Sequence, residues 1–231
     1  MINKIFGNMF ENSRKLNELN ILDMLNYNPN KNILDLGCDN GEWTIKLSRK
    51  MGTKKIYGIE IVEERINDAK NKGINVKKAD LNSKFPFENE SFDVIHANQV
   101  IEHISNLDIF ISEIYRVLKK GGYIIISTEN GSSWHNIFAG IMGWQIFSLT
   151  NISSRKMGIG NPLAIHRGEK LNLSSWTHKT IFNFLGLKEL LEAYGFVVYE
   201  IKGSGYYPLP AFFGKIDARH AHFLTIKAYK K

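Results

Sequence analysis

The 231-residue sequence predicts an α/β fold: a doubly wound, mostly parallel sheet with helices on both faces. Three observations predict it. Short apolar runs alternate with helical patterns through the first half of the chain. Acids or amides close four successive runs. Glycines stand where a strand passes into a helix or a helix ends.

The elements follow in order. Arg14–Leu25 carries Leu16, Leu19, Leu22 and Leu25, a helical spacing ahead of the sheet. Asn32–Leu36 (NILDL) is a short apolar run before Gly37, as for a strand buried on both faces. Glu42–Lys50 is a helix with Trp43 and Leu47 four apart on one face. Lys55–Ile59 is the second strand. Glu63–Lys72 is a charged helix capped by Gly73. Ile74–Ala79 and Phe92–Ala97 are the third and fourth strands. Leu107–Leu118 is an amphipathic helix that Gly121-Gly122 stops, and Tyr123–Ser127 is the fifth strand. Asn130–Thr177 has no clean period. A helix resumes at Leu187–Tyr194 and stops at Gly195. Phe196–Ile201 and His222–Ala228 are two last strands joined by the loop Gly203–Lys215. With no helix between them they form a hairpin, so the last strand runs antiparallel to the rest. Residues 1–231 read as one domain, with 130–177 an insert after the fifth strand that covers the site.

The composition limits the function classes. A hydrophobic content of 43% is too high for a disordered chain. The net charge of +7 and pI near 9.3 would suit an anionic partner, yet the lysines are dispersed and no basic run appears. Nucleic acid is therefore disfavoured, while peripheral contact with an acidic lipid surface stays compatible with the charge. The most apolar stretch, Ile137–Leu149, is too short and too interrupted to span a bilayer. The single cysteine, Cys38, allows no intramolecular disulfide and suits the cytoplasm.

The candidate site begins at Asp35-Leu36-Gly37-Cys38-Asp39-Asn40-Gly41, between the first strand and the first helix. Gly37 permits a sharp turn, and Gly41 is expected to let a ligand approach the helix start. Glu60 ends the second strand, where a carboxylate offers two acceptor oxygens to a vicinal diol. Asp80 ends the third strand, followed by Leu81, and Asn98 ends the fourth. In open sheets of this kind ligands bind beyond the carboxyl ends of the strands. A dinucleotide would need G-x-G-x-x-G, and here Cys38 and Asp39 follow Gly37.

Four segments, NILDLGCDNGEWT, IYGIEIVEE, VKKADLNSKFPFENESFDVIHANQVIEHI and IYRVLKKGGYIIIS, occur in family order over roughly residues 32–127. On them the chain resembles the class I S-adenosylmethionine (SAM)-dependent methyltransferases, in particular the group called methyltransferase type 11. The resemblance implies a Rossmann-like, seven-stranded sheet with an antiparallel last strand, and SAM as cofactor. It also implies roles. Asp35, Gly37, Cys38 and Gly41 would surround the methionine part. Glu60 would bind both ribose hydroxyls, Ile61 would pack on adenine, and Asp80 and the Leu81 N–H would bind its edge. Asn98 would offer its backbone carbonyl to the cofactor's amino group.

His103, just past the fourth strand, is the candidate base for a hydroxyl acceptor. Some similar quinone-biosynthesis O-methyltransferases hold a divalent metal here with an acid where Gln99 stands, so no metal is expected. In the insert and the last loop, Trp134, His135 and Tyr206 are candidates to touch the acceptor, a small molecule or a glycan. His178, His220 and His222 lack a compact ligand spacing and read as ordinary polar residues. A lipid-linked acceptor, or SAM binding without catalysis, are the other readings.

Overall fold

Seven strands, β1 (Ile33–Leu36), β2 (Ile56–Glu60), β3 (Asn75–Lys78), β4 (Phe92–Asn98), β5 (Leu118–Glu129), β6 (Phe196–Ser204) and β7 (Phe223–Lys230), form one sheet. Their order is β3-β2-β1-β4-β5-β7-β6. The structure is a computed structural model and describes residues 2–171 and 174–231. β1 pairs in parallel with both β2 and β4, Ile33 facing Ile56 on one side and Val94 on the other. The chain runs outward from β1 to β3, then returns to β4, so the switch in strand order lies beside β1. β7 enters between β5 and β6 and is antiparallel to both, as the hairpin required.

The helices are α1 (Ile2–Met24), α2 (Glu42–Met51), α3 (Glu63–Asn71), α4 (Leu107–Val117), α5 (Trp134–Ile141), α6 (Phe184–Ala193) and the single turn α7 (Phe213–Ile216). The sheet separates two apolar layers. On one face Ile33, Val94 and Ile125 pack with Ile21 of α1, Leu47 of α2 and Ile66 of α3. On the other, Leu34, Leu36 and Ile95 pack with Phe110 and Ile114 of α4 and Leu187 and Leu191 of α6. The alternation of Ile33 with Leu34 across the sheet is the two-residue period of a strand buried on both faces. Among the described residues no helix is long and apolar enough to cross a membrane.

Three boundaries differ from the sequence expectation. Gly121-Gly122 does not stop α4. The helix ends at Val117, and β5 begins at Leu118, which is buried opposite Phe92. The register on β4 then jumps from Phe92↔Leu118 to Val94↔Tyr123, so the glycine pair lies in a bulge. The first helix starts at Ile2 instead of Arg14, and its Phe10 ring meets those of His222 and Phe223. The loop after Phe196–Ile201 starts later, because β6 continues to Ser204, and the loop holds α7.

Candidate active site

The strand ends at the switch point open onto a cleft of about 630 Å³, with Gly37, Glu60, Ile61, Asp80, Leu81, Asn98 and His103 in its wall. Gly37 has φ +67°, and a Cβ there would stand 2.9 Å from Val100 Cγ2. Only glycine fits both demands. The N–H groups of Gly37 and Cys38 both donate to Ile59 O, at 2.9 and 3.1 Å, which pins the turn to β2.

Three predicted residues shape this turn from behind without lining the cleft. Asp35 is 2% exposed and accepts from Thr44 Oγ1 at 2.5 Å. Its other oxygen lies 2.7 Å from His96 Nδ1, while His96 Nε2 accepts from Trp43 Nε1 at 3.2 Å. The indole fixes the tautomer, so Nδ1–H donates to Asp35. Cys38 is 3% exposed, and its Sγ would stand 2.5 Å from a Cβ on Gly58; burial beside Asp35 pushes the thiol up. Gly41 stands outside the cleft wall. A Cβ there would stand 2.4 Å from Ile74 Cδ1 and 3.1 Å from Ala69 Cα, so its bareness lets α2 close on α3.

Glu60 is held by three N–H groups. Oε1 accepts from Ile61 N at 2.7 Å and Val62 N at 3.0 Å, and Oε2 accepts from Asp39 N at 3.0 Å. With Oε1 accepting twice and Oε2 once, the carboxylate keeps a lone pair on Oε2 for a further donor. Beside it Ile61, 46% exposed, presents an apolar surface to the cleft. Asp80 Oδ1 accepts from Asn82 N and Nδ2, both at 2.9 Å, and no hydrogen bond within the described residues engages Oδ2. Asn98 Oδ1 accepts from Asn17 Nδ2 of α1 at 3.2 Å. The next residue, Gln99, has φ +55°. A diol-sized acceptor, an apolar flat and a second carboxylate in sequence along one wall fit a nucleoside.

The opposite wall carries His103, in the helical turn 101–103, with Trp176 and Lys179. His103 Nδ1–H donates to Thr177 O at 3.1 Å. Burial, with His178 beside it, holds the ring down to about 4, so it is neutral at pH 7. Glu102 is fully buried; one oxygen accepts from Thr128 Oγ1 at 2.9 Å, and the other has no partner among the described residues. Burial pushes its carboxyl up to about 8. The histidine that the sequence reading passed over, His178, stands with its ring 4.8 Å from that of His103. Donor atoms of Glu102, His103 and His178 lie within 4.8 Å of one another, close enough to share a cation. The 75-residue separation of the two histidines left no spacing cue.

Behind this pair lies a second chamber of about 520 Å³, with Phe10, Phe147, Met157, Leu163 and Ile165 in its wall beside Glu129, His135, His178, Tyr207 and His222. His135 thus lines this chamber. Trp134 and Tyr206 line neither cavity. Trp134 Nε1 donates to Tyr206 OH at 2.7 Å, the indole stacks on His220, and Tyr206 OH donates to Asp217 at 2.7 Å. They satisfy each other at the surface. Glu129 and His222 were missed because a strand's last residue and a residue just before a strand form no local pattern.

Sheet order and cleft together define an α/β protein that takes a nucleoside-bearing ligand at its switch point. Residues 9–201 match a family model described as a methyltransferase domain. The chain is 27% identical over 195 residues to a demethylmenaquinone methyltransferase of Staphylococcus aureus, covering 81% of this chain and 73% of that one. It is 33% identical over 135 residues to the mitochondrial ubiquinone biosynthesis O-methyltransferase of Rattus norvegicus, covering 52% of this chain but only 39% of that protein. Among solved structures, a SAM-dependent methyltransferase of Thermotoga maritima superposes with TM-score 0.60 at 20% identity over the whole of both chains. One from Mesorhizobium loti does so with TM-score 0.61 at 18% identity, over 92% and 97% of the two chains. At such identities the likeness is one of fold. The chain belongs to the methyltransferase-domain family.

Proposed function

We propose that the chain moves a methyl group from SAM to a hydroxyl of a small, largely apolar acceptor held in the second chamber. The observation that carries this reading is the meeting of the two cavities. His103 lines the cleft, His178 lines the chamber, and their rings are 4.8 Å apart. Bound SAM supplies a methyl group on a sulfonium, already a good leaving group. What the protein must add is alignment and a place for the acceptor's proton.

In this reading Glu60 accepts from both ribose hydroxyls, Ile61 and Leu81 flank the adenine, and Asp80 accepts from its amine. The backbones of Gly37 and Asn98 receive the methionine end. Asp35, Cys38 and Gly41 act by holding the shape of the turn. His103 takes the proton: its Nδ1–H is committed to Thr177, which leaves Nε2 as the acceptor. The single domain closes over both ligands with the 130–177 insert, which contributes Phe147, Met157, Leu163 and Ile165 to the chamber and Trp176 to the cleft. A glycan would find few polar partners in that lining, so a ring-bearing small molecule is preferred. The quinone chemistry in the names of the two relatives above supports the same class. The free, buried Cys38 suits a reducing cytoplasm.

The test is a screen of hydroxylated aromatics, sugars and RNA with labelled methyl donor. Label is expected on the aromatics alone, and His103→Ala should lower that transfer by about 100-fold or more while donor binding persists. Transfer confined to sugars or RNA, or full activity in His103→Ala, would overturn the corresponding assignment.

A further inference from the structure

Two carboxylates face the apolar chamber. Glu11, on α1, is paired with Arg14. Glu129, the last residue of β5, accepts no hydrogen bond within the described residues, although its side chain is only 17% exposed. Among the described residues its one charged or titratable neighbour within ion-pair range is His222, whose Nε2 lies 4.0 Å from Oε1. A carboxylate in a low-dielectric wall is costly unless something donates to it. The hydrogen bonds that Glu129 lacks are therefore those a ligand would bring.

The surroundings hold this acid ready. Tyr207 OH lies 3.0 Å from His222 Nδ1, and burial pushes the phenol up, so it remains a donor. With Tyr207 donating to Nδ1, His222 Nε2 carries the hydrogen on the side of Glu129. Burial, with His135 beside it, keeps His222 far below the usual imidazole range, so His222 steadies Glu129 without neutralising it. His135 is likewise neutral, held down to about 3 by burial. Apart from Glu11, which is paired with Arg14, Glu129 is thus, among the described residues, the one acid lining a mostly apolar chamber. A neutral O–H donor is cheaper to desolvate there than an ammonium, and the net charge of +7 works against cations.

We infer that Glu129, steadied by His222 and Tyr207, determines acceptor specificity by accepting the hydrogen bond of a phenolic or enolic hydroxyl on an apolar ring. This rests on reading the chamber as the acceptor site. A cavity built to bind a hydroxyl rejects the analogue without one, because its own polar group is then stranded.

The test is calorimetry on the full chain, saturated with S-adenosylhomocysteine, using 4-propylphenol and propylbenzene as probes. The phenol should bind about tenfold or more tightly than propylbenzene, and Glu129→Met, which keeps the length of the side chain, should bring the two together. Tyr207→Phe should weaken the phenol more than propylbenzene, whereas general damage to the fold would weaken both. Glu129→Met should also melt no lower than the wild type, because a merely structural ion pair would cost stability when removed. No binding of the phenol, equal binding of both probes to the wild type, a preference that survives in Glu129→Met, or a Glu129-dependent preference for 3-phenylpropylamine would each overturn the inference. Binding of S-adenosylhomocysteine in the same samples reports the donor cleft separately, so failure there is distinguishable from failure of Glu129.

Discussion

At the scale of single residues, direction matters as much as position. Glu60 and Asp80 were legible because each is a polar group closing an apolar run, where a parallel sheet places its ligand. Asp35 and Cys38 flank the same turn, yet both point inward, and sequence gives no sign of which way a turn residue faces. Gly37 is the position where backbone and packing agree: φ is +67°, and Val100 occupies the space a methyl group would need. Gly37→Ala is expected to cost about 1–3 kcal/mol of stability from strain alone, read in urea unfolding, and to weaken donor binding. An unchanged midpoint would mean that the turn relaxes at no cost.

Among elements, the β1 turn and α2 are joined by a chain of hydrogen bonds from Trp43 through His96 and Asp35 to Thr44. This is how a buried carboxylate at a strand end is tolerated: each oxygen has a partner. Thr44→Val keeps the shape but removes the hydroxyl donor. It should destabilise the protein by about 1–3 kcal/mol, seen as a lower Tm. The order of strands and helices was legible because strand and helix periods alternate cleanly. The α4–β5 junction was not, because the helix passes into the strand at Val117–Leu118 without a break in apolar character. The insert has no period, so His135 within it and His178 just beyond it could be read only as isolated histidines.

For the whole molecule, burial of ionisable groups near the two cavities couples stability to pH. Glu102 is pushed up to about 8 from an ordinary 4.5, so the folded state binds a proton there that the unfolded state releases. That stabilising contribution is complete below pH 4.5 and is lost as pH rises through 8. Glu102→Gln removes the proton uptake, so the stability of the variant relative to the wild type should grow between pH 5 and 8. Denaturant midpoints at pH 5, 6, 7 and 8 read this; a constant difference would show that Glu102 is charged in the fold. The fold was thus readable from strand ends, whereas the second chamber arises only when α1, the insert and the β6–β7 loop come together. The central claim remains the donor cleft built around Glu60, and calorimetry with S-adenosylhomocysteine tests it most directly. One site per chain is expected, with Glu60→Ala weakening it about 30-fold or more through loss of the charge-assisted hydrogen bonds to the diol, and with the exposed Glu63→Ala close to wild type. No binding by the wild type, or equal affinity in Glu60→Ala, would contradict the account.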